Sequence, residues 1–133
     1  SARFGTPGVT NGLFCSTPAV AVSRAVSSKH AMEMLLLGDL FSPEDALRFG
    51  LINRIVPVQK LDSTVLEYAE SIASRSTLTM SMGKGAFYRQ LDMELEEAYT
   101  YTSDVMARNM MERDAQEGID AFLQKRHPKW TGR

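Results

Sequence analysis

The chain has 133 residues, 44% of them hydrophobic and 23% charged, and a formal net charge of −1. That describes one globular domain or part of one, with apolar content enough for a core, and the near-neutral balance excludes electrostatic capture by nucleic acid or an anionic membrane as a mode of action. The single cysteine, Cys15, excludes an internal disulfide, and no apolar run approaches the ~20 residues of a membrane helix.

In chain order, residues 2–6 read as a short strand, turned by Pro7 and Gly8, and residues 9–13 as a loop with Gly12 as its turn residue. Ser16-Thr17-Pro18 is a helix start, with Ser16 or Thr17 as the cap and Pro18 just inside; the helix over 19–26 is apolar on most sides and is expected to be buried. Ser27-Ser28 caps a second helix, apolar at Ala31, Met34, Leu35 and Leu37 and stopped by Gly38. A third starts at Ser42-Pro43-Glu44-Asp45, where Ser42 and Asp45 have capping-box spacing, and ends at Gly50. Residues 51–56 read as a short strand that Pro57 ends. Helical rhythm then covers 61–74 and 77–90, the latter weakened at Gly83 and Gly85 by ~1 kcal/mol each relative to alanine. A long helix carries Leu95, Ala98, Tyr99, Thr102, Val105, Met106, Asn109 and Met110 at i, i+3, i+4, i+7 spacing, and its methionines are expected in a core or subunit interface. The last helix spans about 114–126, with Asp114 as its cap. The chain is therefore mainly α, with one or two strands that need partners from elsewhere.

Three blocks together resemble the crotonase (enoyl-CoA hydratase/isomerase) superfamily. The run 31–38 followed by 46–57, AMEMLLLG and then ALRFGLINRIVP, is similar to the family pattern A-x-x-x-L-L-x-G and A-x-x-x-G-L-I-N-x-I-V-P. Residues 114–126, DAQEGIDAFLQKR, resemble its D-x-x-E-G-x-x-A-F-x-x-K-R, and residues 2–7, ARFGTP, resemble the strand and turn that enter its site. The resemblance implies the C-terminal part of a crotonase-type α/β spiral fold. Residues 1–60 would be the end of the spiral core with the acyl-pocket helix, and 61–133 a helical assembly domain that builds a trimer or hexamer. Members of the family are about twice this length. By the resemblance, the oxyanion-stabilising backbone N–H groups and one glutamate come from a front half outside this chain, so these residues alone are expected to show no turnover.

The same resemblance assigns the site. The family motif A-x-F-x-x-P-E places a glutamate after Pro7; here Gly8 stands there, with no side chain to move a proton in a hydration, which needs a base for water and an acid for the α-carbon. No catalytic residue is therefore assigned. Leu13, Phe14 and Ser16 are expected to line the acyl pocket, and Phe122 and Lys125, on one face of the tail helix, to touch the CoA adenine and phosphates. Ser16 falls in a slot where some isomerases carry aspartate, and is otherwise a helix cap; Cys15, with no histidine near it in sequence, reads as a small buried hydrophobe. His30 and His127 lack metal-ligand spacing, and Gly83-Lys84-Gly85 lacks the frame of a phosphate loop, so neither metal nor cofactor is expected beyond a CoA thioester as substrate or ligand. Family membership implies a hydratase or isomerase whose hydratase chemistry is impaired; the alternatives are a non-catalytic acyl-CoA-binding or regulatory member, or a plain helical interaction domain. The expected partners are acyl-CoA and further copies of the chain, with neither nucleic acid nor membrane. The expected place is the cytoplasm of a bacterium or the mitochondrial matrix of a eukaryote.

Overall fold

Local signals set both boundaries of two helices. In a computed structural model that describes residues 1–133, Ser27 caps α2 (Ser28–Leu37) by accepting from the His30 amide, and Gly38 ends it at φ 67°. Ser42 and Asp45 form a reciprocal capping box on α3 (Pro43–Phe49), which Gly50 ends at φ 81°. A left-handed residue after the last turn is cheapest as glycine, so both stops are written in the sequence. The Ser42 hydroxyl and then Arg48 also hold the Asp45 carboxyl below its ordinary range.

The chain divides into two compact units, Ser1–Leu61 and Asp62–Arg133. In the first, α1 (Ser16–Ala25) packs on α2, and the core is Val26, Ala31, Met34 and Phe49, with Val22, Phe41 and Leu51 against it. His30 stacks on Phe49 at 4.2 Å between centroids, and Phe41 meets the same ring edge-on at 5.5 Å. Of the helix expected to be buried over 19–26, only Val26, just past the observed end, is buried: no residue of α1 is, and Val20 is 54% exposed. An all-round apolar helix needs neighbours on every side, and these residues give it only α2 and the core edge.

Neither expected strand forms a ladder. Phe4 and Phe41 make one antiparallel bridge, with N–H···O distances of 3.1 and 2.7 Å. Residues 51–56 form no strand; the Leu51 and Ile52 amides both donate to the Ala46 carbonyl at the end of α3. A strand is defined by ladder pairing, and this segment forms no ladder here. Residues 9–11, expected as loop, belong to a 3-10 turn, Pro7–Asn11.

The second unit holds α4 (Leu61–Ala73, whose first residue closes the first unit), α5 (Thr77–Gln90), α6 (Leu95–Met111) and α7 (Arg113–Leu123). The long-helix stripe splits into two faces. Ala98 is buried and Thr102, Val105 and Asn109 are half-buried, whereas Tyr99, Met106 and Met110 are 68%, 62% and 55% exposed, so the methionines are not core. The last helix also departs from expectation. Glu112, not Asp114, is its N-cap; Asp114 is 1% exposed, and α7 stops at Leu123 rather than running on to 126. No helix is long and apolar enough to cross a membrane.

Candidate functional site

The turn after Pro7 is closed by its own residues, through main chain and side chain. Thr10 Oγ1 donates to the Pro7 carbonyl at 2.7 Å, the Leu13 amide to the Gly8 carbonyl at 2.9 Å, and the Gly8 amide to Cys15 Sγ at 3.2 Å. Thr6, buried, ties the entry to α2 by donating to the Met34 carbonyl at 2.9 Å. A Cβ built on Gly38 would come within 2.7 Å of Val9 Cγ2, so the glycine that stops α2 also lets the turn lie against that helix end.

This closure pushes the next residues outward. Leu13 is 69% and Phe14 47% exposed, and Ser16 is exposed beside them, so the three expected wall residues form one solvent-facing edge at the start of α1. Ser16 is not the helix cap: Cys15 holds the cap position without a side-chain capping bond, and the Ser16 hydroxyl donates to the Phe14 carbonyl at 3.4 Å. Nor is Cys15 an inert buried hydrophobe, since it is half-buried and accepts from Gly8. The three heavy atoms nearest a Cβ on Gly8 would be Cys15 Sγ, the Leu13 carbonyl oxygen and the Cys15 amide nitrogen, none of them a carboxylate.

The tail residues lie in the other unit. Phe122 is 82% exposed on α7. Lys125 lies past the helix end at φ 53°, so the helical i, i+3 argument that put it on Phe122's face does not apply. The Lys125 amide donates to the Phe122 carbonyl and the Arg126 amide to the Ala121 carbonyl, a Schellman closure with lysine in the place usually held by glycine.

Sequence reasoning missed the strap that follows. Residues 128–133 fold back over α7. The Trp130 indole donates to the Ser74 carbonyl at 2.8 Å, and its ring would lie 3.3 Å from a Cβ on Gly118. Asp114 accepts from the Thr131 amide (2.7 Å), the Thr131 hydroxyl (2.9 Å) and the Gly132 amide (2.9 Å). Hydrogen bonding from the Ser76 side chain, with those bonds from the strap, lowers the Asp114 carboxyl to about 2 against the opposing effect of burial. Glu117 takes a two-pronged contact from Arg126 at 2.6 and 2.8 Å and the Lys129 amide at 2.8 Å; Arg126 foremost lowers it to about 2. Arg113, Glu117, Arg126, His127 and Lys129 edge a groove of about 620 Å³ beside the strap. The only forward signal was a tryptophan close to the chain's end, because an indole N–H leaving water needs an acceptor. No three or more His, Cys, Asp or Glu side chains cluster so as to hold a metal ion.

Comparison with known proteins agrees with this architecture. The family model described as enoyl-CoA hydratase/isomerase matches residues 1–133. The human mitochondrial enoyl-CoA hydratase domain-containing protein 3 is 50% identical over 128 residues, which cover 96% of this chain and 42% of that protein. A Thauera aromatica (E)-benzylidenesuccinyl-CoA hydratase is 36% identical over 112 residues, 84% of this chain and 44% of that one. Among solved structures, an enoyl-CoA hydratase from Mycobacterium smegmatis superposes with a TM-score of 0.94 at 45% identity, covering 98% of this chain and 51% of its own. The human domain-containing protein 3 superposes at 0.93, covering 97% and 51%. The chain thus spans less than half the length of the curated relatives it matches and about half of the solved chains. With its helices arranged as in the mainly α, C-terminal part of a crotonase fold, this chain belongs to the enoyl-CoA hydratase/isomerase family.

Proposed function

We propose that the whole protein holds a CoA thioester and that this chain supplies one wall of its acyl site and the helices through which copies assemble. Residues 1–60 form the end of the spiral core, with Leu13, Phe14 and Ser16 facing the acyl group. Residues 61–133 form the assembly domain, with Phe122 and Lys125 reaching toward the adenine and phosphates. The family match over residues 1–133 supports the thioester, as does the CoA ester named for the Thauera relative. The assembly as a trimer or hexamer, and a matrix or cytoplasmic place according to the source, are part of the same reading.

The observation that carries the mechanistic half is Gly8, whose surroundings offer a thiol and a main-chain carbonyl in place of a carboxylate. Syn addition of water to an enoyl thioester needs one group to take a proton from water and one to give a proton to the α-carbon, and glycine does neither. What survives is thioester binding and, where a front half supplies two backbone N–H donors, oxyanion stabilisation worth several kcal/mol in a dry site. Chemistry that runs through an enolate without that second carboxylate remains open to such a site. A non-catalytic acyl-CoA-binding role is the second reading, favoured by the same glycine.

The test uses the intact protein. Calorimetry with an acyl-CoA is expected to give saturable heat that free CoA competes away, and loss of the conjugated enone of crotonyl-CoA is expected to be slow or absent. No heat and no competition would sink the thioester reading and leave a helical interaction domain. Fast enone loss would sink the impaired-hydratase half. The residues 1–133 alone are expected to turn nothing over.

A further inference from the structure

We propose that the 7–15 turn is built to exclude any side chain at position 8, and that Cys15 is its positioning residue. The proposal deepens the reading of this turn as the acyl-site wall and rests on that reading only for its functional consequence.

Gly8 is not required by backbone conformation: its φ lies outside the left-handed region, and it is the second residue of a 3-10 turn, where alanine would ordinarily be neutral or favourable. The obstacle is space. A Cβ there would lie 2.6 Å from the Leu13 carbonyl oxygen and 2.6 Å from Cys15 Sγ, well inside the 3.4–4 Å of ordinary van der Waals contact. The two obstacles differ in kind. The thiol is a side chain that could turn away. The Leu13 carbonyl is main chain, in a residue tethered to the turn by its amide, which donates to Gly8's own carbonyl at 2.9 Å. Cys15 completes the closure, since its sulfur lies where a residue-8 side chain would begin and accepts the Gly8 amide at 3.2 Å. The same closure presents Leu13 and Phe14 to solvent.

It follows that the missing carboxylate is a property of the backbone path and not of one codon. Gly8→Glu would not restore a proton-handling group, because its first carbon has nowhere to go without moving Leu13. Specificity against hydration is thereby set by residues 8, 13 and 15 together.

Gly8→Ala in the intact protein tests the geometry. It is expected to lower Tm by several degrees, where an unobstructed glycine-to-alanine change would leave it level or raise it. It is also expected to speed alkylation of Cys15 by iodoacetamide, followed on the Cys15 peptide by mass spectrometry, on the order of tenfold. Gly8→Ala with Cys15→Ala is expected to stay destabilised relative to Cys15→Ala alone, since the carbonyl remains. A Tm level or raised with unchanged alkylation would overturn the proposal, and full rescue in the double variant would overturn its main-chain part. Should Gly8→Ala fail to fold, hydrogen exchange at the Gly8 amide decides: Cys15→Ser, which keeps an acceptor, is expected to retain protection, and Cys15→Val to lose about tenfold. Equal exchange in both would overturn the role of the sulfur. In the enone assay Gly8→Glu is expected to gain less than twofold; a gain of tenfold or more would overturn the exclusion. Failure of the wild-type protein to bind any acyl-CoA would instead count against the proposed function and leave the turn's geometry standing.

Discussion

At the scale of single residues, Lys125 sets stability against function. It occupies a left-handed conformation at φ 53°, which costs a non-glycine residue about 1 kcal/mol or more. Lys125→Gly is therefore expected to raise stability by about 1 kcal/mol in denaturant titration. If the lysine contacts CoA phosphates, the same variant weakens acyl-CoA binding while it stabilises the fold. A stabilised variant with unchanged affinity would remove Lys125 from the site, and a destabilised one would contradict the closure geometry. Gly8 teaches the converse. The sequence shows that a side chain is missing there; only the folded turn shows that the Leu13 carbonyl and the Cys15 thiol fill the place it would have taken.

Elements were legible where their signals are local. The stops at Gly38 and Gly50 and the Ser42–Asp45 box depend on residues within one turn, and all stand as read. Long-range pairings were not legible. The strand expected at 51–56 lacks a ladder partner, and the bond from Trp130 to Ser74 crosses 56 residues that no periodicity connects. Asp114 was misplaced for the same reason: S/T/D-x-x-E spacing reads as a cap, but its carboxyl turns to the 128–133 strap. Within α5, Gly83 and Gly85 have ordinary φ and nothing within 4 Å of an added Cβ. Gly83→Ala and Gly85→Ala are each expected to stabilise by about 0.5–1 kcal/mol in thermal or chemical unfolding, and a loss would mean that something packs on that face. The strap has its own signature in acid. Asp114 and Glu117 both fold with pKa values of about 2, below their ordinary 3.8 and 4.5, so they contribute stability above about pH 4 that is lost as pH falls toward 2. Tm measured from pH 6 to 2 should fall below pH 4, and Asp114→Asn should start lower and flatten that fall. A Tm that rises on acidification would contradict the strap's electrostatics.

At the scale of the whole molecule, family and fold were readable from three short blocks, because each combines a turn signal with a fixed apolar spacing. The distribution of exposed apolar side chains was not readable. Tyr99, Met106 and Met110 all lie more than half exposed in this chain, although they share the helical spacing of the buried Ala98. Apolar periodicity says that a face will be covered and not by what. Under the proposed function, the acyl group lies against the Leu13–Phe14 edge. The most direct measurement is calorimetric titration of the intact protein with a saturated acyl-CoA, run beside Phe14→Asp, a change at a half-exposed position. The prediction is saturable heat in the wild type and an affinity at least about tenfold weaker in the variant, the equivalent of ~1.4 kcal/mol; absence of binding in the wild type, or equal affinity in the two, would contradict it.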